Sequence, residues 1–227
     1  GNDQSSIDVP EIQILGLGDS FFYGRGVRHE DICLTRLENL LSHGSDRVAV
    51  KNCGVVGAGV QDVVEIYSRE SASLSPGSLV LYGLVLNDFG LDMAEPIRGL
   101  NFIDINNGGY TFNPLRERSA LINFIIHLVE KRQLHKNTLR AYLESFEGES
   151  AEIGFELLDN LNQLIIDDDG TLVVIIFPLL YDFENYRFGS IHRKIVSFCK
   201  SHRILYLDLF PRFSRHSAED LWANPTD

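Results

Sequence analysis

The chain has 227 residues, 44% hydrophobic and 23% charged, which suits one soluble globular α/β domain and leaves too little chain for two full ones. A formal charge of −12 repels phosphate backbones and anionic head groups, so nucleic acid is a poor partner. No apolar run approaches the ~20 residues of a membrane span, and Gly1 to Pro10 is polar, without a signal-peptide core.

The first apolar run, Ile12-Gln13-Ile14-Leu15, ends in Gly16-Leu17-Gly18-Asp19-Ser20 and reads as a buried strand emptying into a glycine-permitted turn. Leu34, Leu37 and Leu41 then share a helical face, closed by His43-Gly44-Ser45 before a second strand at Arg47 to Val50. Val60, Val63, Val64 and Tyr67 recur at helical spacing, and Pro76-Gly77 marks the end of that helix. Ser78 to Leu86 is a continuous apolar run, as expected of a strand covered on both faces.

Residues 91–150 are too long for a simple connection and are expected to form a helical insertion leaning over the site, with apolar helices at Leu121 to Val129 and around Leu139, Tyr142, Leu143 and Phe146. Leu172 to Phe177 and Ile204 to Leu207 complete five strands, with a helix marked by Ile191, Ile195 and Phe198 between them. Strands alternating with helices predict a single domain over 1–227: a three-layer α/β sandwich around a five-stranded parallel sheet, flavodoxin-like, with ligands bound beyond the carboxyl ends of the strands.

Cys33, Cys53 and Cys199 are odd in number and have no metal-ligand spacing, so they are expected to be buried apolar thiols. Free thiols favour a reducing, cytoplasmic compartment, unless a leader has been removed ahead of Gly1.

Three short elements carry candidate chemistry. Gly18-Asp19-Ser20, followed by Gly24 and Gly26, presents a hydroxyl where the next helix begins, although an N-cap serine would read the same way. Asn52-Cys53-Gly54-Val55-Val56-Gly57 with Gly59 forms a loop whose backbone can approach a ligand closely. It completes neither a dinucleotide fingerprint nor a phosphate loop. Asn87-Asp88 follows the third strand, where a carboxamide can donate to an anion without bringing charge.

Together, in order and placement, these elements resemble the motif blocks of the SGNH/GDSL hydrolase family over nearly the whole chain except the insertion. The resemblance implies an SGNH-hydrolase fold and a serine esterase or acylhydrolase that needs no cofactor and no metal. Ser20 would be the nucleophile, with the Ser20 and Gly57 N–H groups and the Asn87 amide forming the oxyanion hole. Asp19 and Asn52 would organise their loops.

The family's Gly-x-Asn-Asp stands here as Val85-Leu86-Asn87-Asp88. Its closing acid and histidine correspond to Asp227 and a residue beyond it, so Asp227 is expected to be the triad acid. The expected partner is a small-molecule or carbohydrate acyl ester, such as a sugar O-acetyl group. An O-acyltransferase on a carbohydrate and a non-catalytic binding module with the same fold are the alternatives.

The remaining polar residues receive quieter readings. Asp88 is taken as structural, and Asp167-Asp168-Asp169-Gly170 as a solvated turn rather than a calcium loop. His216 is read as a surface histidine, and no role falls to His29, His43, His127, His135, His192 or His202.

Overall fold

The computed structural model describes residues 12–42, 48–89, 103–104, 109–110, 136–137 and 139–223. Strand β1 (Ile12–Gly18) leads through the short helix α1 (Ser20–Tyr23) and α2 (Cys33–Ser42) to β2 (Val48–Asn52). Helix α3 (Val60–Glu70) and β3 (Leu79–Leu84) follow, then a small antiparallel pair, β4 (Ile103–Asp104) and β5 (Gly109–Tyr110). The chain continues through helical residues 139–144 (α4), α5 (Glu149–Asp167), β6 (Thr171–Ile176), α6 (Gly189–Ser201), β7 (Leu205–Asp208) and α7 (Phe210–Phe213).

The main sheet has the order β2-β1-β3-β6-β7, and every pairing in it is parallel. This is the flavodoxin-like order, with its switch point between β1 and β3, the position where doubly wound sheets open a crevice at their carboxyl edge.

Alternation along the strands assigns the faces. Leu15 and Leu17 of β1, Val80, Tyr82 and Leu84 of β3, and Leu172, Val174 and Ile176 of β6 form one buried face. Val63 and Tyr67 of α3, Leu158, Leu161 and Ile165 of α5, and Ile191 and Ile195 of α6 complete that core. The opposite face carries Ile14, Leu81, Phe22 and Leu34, with Val173, Ile175 and Phe177 packed beside them.

Glycines decide how closely the helices approach this second face. A Cβ on Gly16 would lie 2.2 Å from Leu34 Cδ1, and one on Gly83 would lie 2.9 Å from the Phe22 ring. Gly16 and Gly83 therefore serve the packing of α1 and α2, which explains the glycines near Ser20 without a phosphate ligand.

Several boundaries differ from the sequence reading. β1 runs through Gly18 rather than stopping at Leu15, because parallel pairing with β3 continues to Gly18 opposite Gly83. α3 ends at Glu70 and passes through a 3₁₀ turn at Ser71–Ser73 before Pro76. α5, with 19 residues, was not anticipated at all. The closing segment His43-Gly44-Ser45 and the helix expected at Leu121 to Val129 lie outside the described residues.

Where the insertion rejoins the domain it belongs to the core: Phe146 is buried, its ring lies tilted against Phe89 with centroids 4.7 Å apart, and its carbonyl accepts from Lys194 Nζ at 2.8 Å. The acidic turn closes α5 into β6, with Asp169 at φ 56° and Asp168 accepting from Tyr67 OH at 2.8 Å. Of the three cysteines only Cys199 is buried, its thiol pushed up to about 12 by that burial. Cys33 is exposed, since it opens α2 at the surface, and Cys53 is half-buried.

Candidate active site

The sheet register sets the three motif loops side by side. Gly16 of β1 pairs with Asn52 of β2, and Gly18 of β1 pairs with Gly83 of β3, so the chain leaves these strands toward one edge.

In the first loop Asp19, not Ser20, caps α1: its Oδ1 accepts from Phe21 N at 2.9 Å. Ser20 is thus the first helical residue, and the N-cap reading of this serine falls away. The hydroxyl is half-buried and donates to Asp19 Oδ2 at 3.3 Å. Burial raises the Asp19 carboxyl above the ordinary aspartate range, against the hydrogen bonds from Phe21 and Ser20 that lower it.

Asn52 holds the second loop to the first. Its Nδ2 donates to Phe22 O at 2.7 Å while its Oδ1 accepts from Gly54 N at 2.9 Å. Val55 N adds a bond to Gly18 O at 2.9 Å. Gly54 must be glycine for this contact, because a Cβ there would sit 2.5 Å from Tyr23 N. Further on, Gly57 is exposed at φ 80°, and its N–H has no acceptor among the described residues. A groove of about 370 Å³ runs from Val55, Val56 and Gly57 along α3 to Arg69.

The third loop is a turn closed by Asp88 N donating to Val85 O at 3.0 Å. It is joined to the second loop through Val60 N, which donates to Asp88 O at 3.0 Å. Asn87 is half-buried, and its carboxamide makes no hydrogen bond among the described residues. Asp88 is buried beneath it: its Oδ2 accepts from Tyr82 OH at 2.7 Å and from Val85 N at 3.1 Å.

The sequence-predicted residues Ser20, Asp19, Asn52, Gly57 and Asn87 therefore sit on three loops at one sheet edge, the second bonded to both the first and the third. Asp227 lies outside the described residues. No described histidine bonds Ser20; His29, His202 and His216 are exposed. No group of three His, Cys, Asp or Glu side chains among the described residues is placed to hold a metal ion, and no described helix is long and apolar enough to cross a membrane.

The sequence reading missed a second polar cluster. His192 is 2% exposed; its Nδ1 lies 2.8 Å from Asp208 Oδ1 and its Nε2 3.0 Å from Tyr186 OH. Since the carboxylate can only accept, Nδ1 carries the proton that it shares with Asp208. Tyr186 OH accepts in turn from Leu179 N at 3.1 Å. The signal available in sequence was position: His192 falls on the same buried stripe of α6 as Ile195 and Cys199.

No protein-family model matches the chain, and no curated protein does. Solved structures do. The crystal structure of TesA aligns at a TM-score of 0.51 and 13% identity, over 86% of this chain and 76% of its own. LAE5, an alpha/beta hydrolase enzyme from the metagenome of Lake Arreo, Spain, aligns at 0.53 and 14%, over 91% of this chain and 81% of its own. AlinE4, an SGNH-hydrolase family esterase, aligns at 0.46 and 14%, over 86% and 74%. What the chain shares with TesA and LAE5 at these identities is its fold, a parallel α/β sheet with helices on both faces.

Proposed function

We propose that the chain is a serine ester hydrolase of the SGNH/GDSL type, acting through an acyl-enzyme on Ser20. The observation that carries this reading is the convergence of three motif loops, the first bonded to the second and the second to the third, whose Asn87 carboxamide and Gly57 N–H make no hydrogen bond among the described residues, beside the loop bearing the Ser20 hydroxyl. Unpaired donors near a hydroxyl suit an oxyanion better than they suit stability. The fold held in common with TesA and LAE5 supports the same reading.

In this mechanism a histidine base takes the Ser20 proton as Oγ attacks the ester carbonyl, and the tetrahedral oxyanion is held by the Ser20 and Gly57 N–H groups and the Asn87 amide. The imidazolium then protonates the departing alcohol, and water hydrolyses the acyl-enzyme. The family pattern assigns the acid that orients the base to Asp227. The groove beside Gly57, which presents Asp62, Glu65 and Arg69, suits a polar, hydroxyl-bearing alcohol such as an O-acylated carbohydrate.

The test is labelling by a fluorophosphonate probe together with hydrolysis of short-chain and carbohydrate acetyl esters. Probe adduct at Ser20, loss of turnover in Ser20→Ala, and a loss of roughly 10²–10³ in rate for Asn87→Ala are expected. Full activity in Ser20→Ala ends the assignment.

A further inference from the structure

We propose that Asp88 is a neutral carboxylic acid that positions the oxyanion pocket, clamping the turn that carries Asn87 to β3 and α3 without placing charge beside the developing oxyanion. The inference rests on the hydrolase reading for its catalytic consequence, but its structural half stands alone.

Asp88 is 1% exposed and holds its turn from three sides. Oδ2 accepts from Tyr82 OH at 2.7 Å, which anchors it to β3, and from Val85 N at 3.1 Å, which closes the turn. Its main-chain oxygen accepts from Val60 N at 3.0 Å and lies against Gly59, where a Cβ would stand 3.1 Å away. One residue thus ties the Asn87 turn to the loop that carries Gly57.

The other carboxyl oxygen is the informative atom. Asp88 Oδ1 is buried and has no hydrogen-bond partner among the described residues. Among the described residues the charged groups that act on the carboxyl are Asp19 and Asp62, both acids, while Tyr82 and Tyr142 are the phenols of its surroundings. An ionised carboxylate there would be desolvated, would face a like charge from Asp19, and would leave an oxygen unpaired; a buried acid in that position keeps its proton. Burial first, and Asp19 second, push the carboxyl well above the ordinary range. With both donors directed at Oδ2, the proton belongs on Oδ1.

Neutrality matters next to an oxyanion. A carboxylate one residue from the Asn87 donor would oppose the charge that this amide is proposed to stabilise, and in a site of low dielectric such an opposition is only weakly screened. A neutral acid keeps the hydrogen bonds of the clamp and removes the opposing charge.

The experiment compares Asp88→Asn and Asp88→Ala with Ser20→Ala and Asn87→Ala, reading kcat and KM separately alongside thermal midpoints. Asn is the isostere of the neutral acid, so Asp88→Asn should retain kcat within about threefold, whereas Asp88→Ala should lose about 10- to 100-fold in kcat with little change in KM, as expected when a donor is displaced rather than removed. Equal damage from Asn and Ala, or no damage from Ala in a folded protein, overturns the positioning role.

A second readout is independent of turnover. The infrared difference spectrum between the wild type and Asp88→Asn at neutral pH should show the carbonyl stretch of a protonated carboxyl, and a carboxylate band in its place overturns neutrality. If Ser20→Ala and Asn87→Ala keep full activity, the hydrolase reading fails while the spectrum still decides the state of Asp88.

Discussion

Gly18 stands opposite Gly83 across the β1–β3 ladder so closely that a Cβ on Gly18 would lie 2.7 Å from the Gly83 carbonyl oxygen. The obstacle is backbone in the middle of the sheet, which cannot rotate aside as a side chain would. Gly18 also holds φ at 151°, outside the range that L side chains adopt with ease. Gly18→Ala is expected to cost about 2–4 kcal/mol and to shift the Ser20 loop. Gly77→Ala is the control: its φ is 83° but nothing lies within 4 Å of the added Cβ, so only about 1–2 kcal/mol of backbone strain is expected. Urea denaturation of both variants decides the point, and equal losses would refute the steric argument.

Asn52 joins two loops with opposite ends of one carboxamide, and this polarity can be tested. Asn52→Ala removes the bonds to Phe22 O and Gly54 N, for about 1–2 kcal/mol of stability. Asn52→Asp keeps an acceptor for Gly54 N but turns a carboxylate oxygen toward the Phe22 carbonyl, so it should be at least as damaging as Ala at neutral pH and partly recover in acid. Denaturation midpoints at two pH values check this. An aspartate variant as stable as the wild type would mean that the Nδ2 donation is dispensable.

The strands were legible because each is an apolar run bounded by turn residues, and the loops because Ser20, Asn52 and Asn87 stand at successive strand ends. α5 was not legible. Its buried stripe includes Gly154 and Asn162 among Leu158, Leu161 and Ile165, which dilutes the helical period, and Gly154 is small because Phe89 packs where its Cβ would be. The cluster at His192 was illegible for another reason: its partners are 6 and 16 residues away on different elements, so only the fold brings them together.

That cluster is expected to be a stability element at the end of β7. Asp208 Oδ1 accepts from both His192 Nδ1 and Phe210 N, the latter at 3.0 Å, while Tyr186 stacks on Phe210 at 4.2 Å. His192→Ala strands a carboxylate and a half-buried phenol at once and should cost about 2–4 kcal/mol, whereas Tyr186→Phe, which leaves the histidine–aspartate pair intact, should cost about 1 kcal/mol. Chemical denaturation measures both. A loss below that of Tyr186→Phe in the histidine variant would show that the pair contributes nothing.

The raised acid at Asp88 predicts the sign of a pH dependence. Burial holds its folded-state value well above that of the unfolded chain, with Asp19 adding to the shift, so the folded state keeps a proton that the unfolded state releases. The stabilisation is fully present below the unfolded aspartate value near ~3.9 and declines as pH rises toward the folded one. Through that window one retained proton lowers stability by about 1.4 kcal/mol per pH unit. Asp88→Asn has no proton to hold and should remove that slope, leaving the smaller contribution of Asp19, whose carboxyl is also raised by burial. Urea midpoints of the wild type and Asp88→Asn from pH 4 to 8 give the two slopes directly. Parallel profiles would mean that Asp88 ionises in the folded protein much as it does in the unfolded chain.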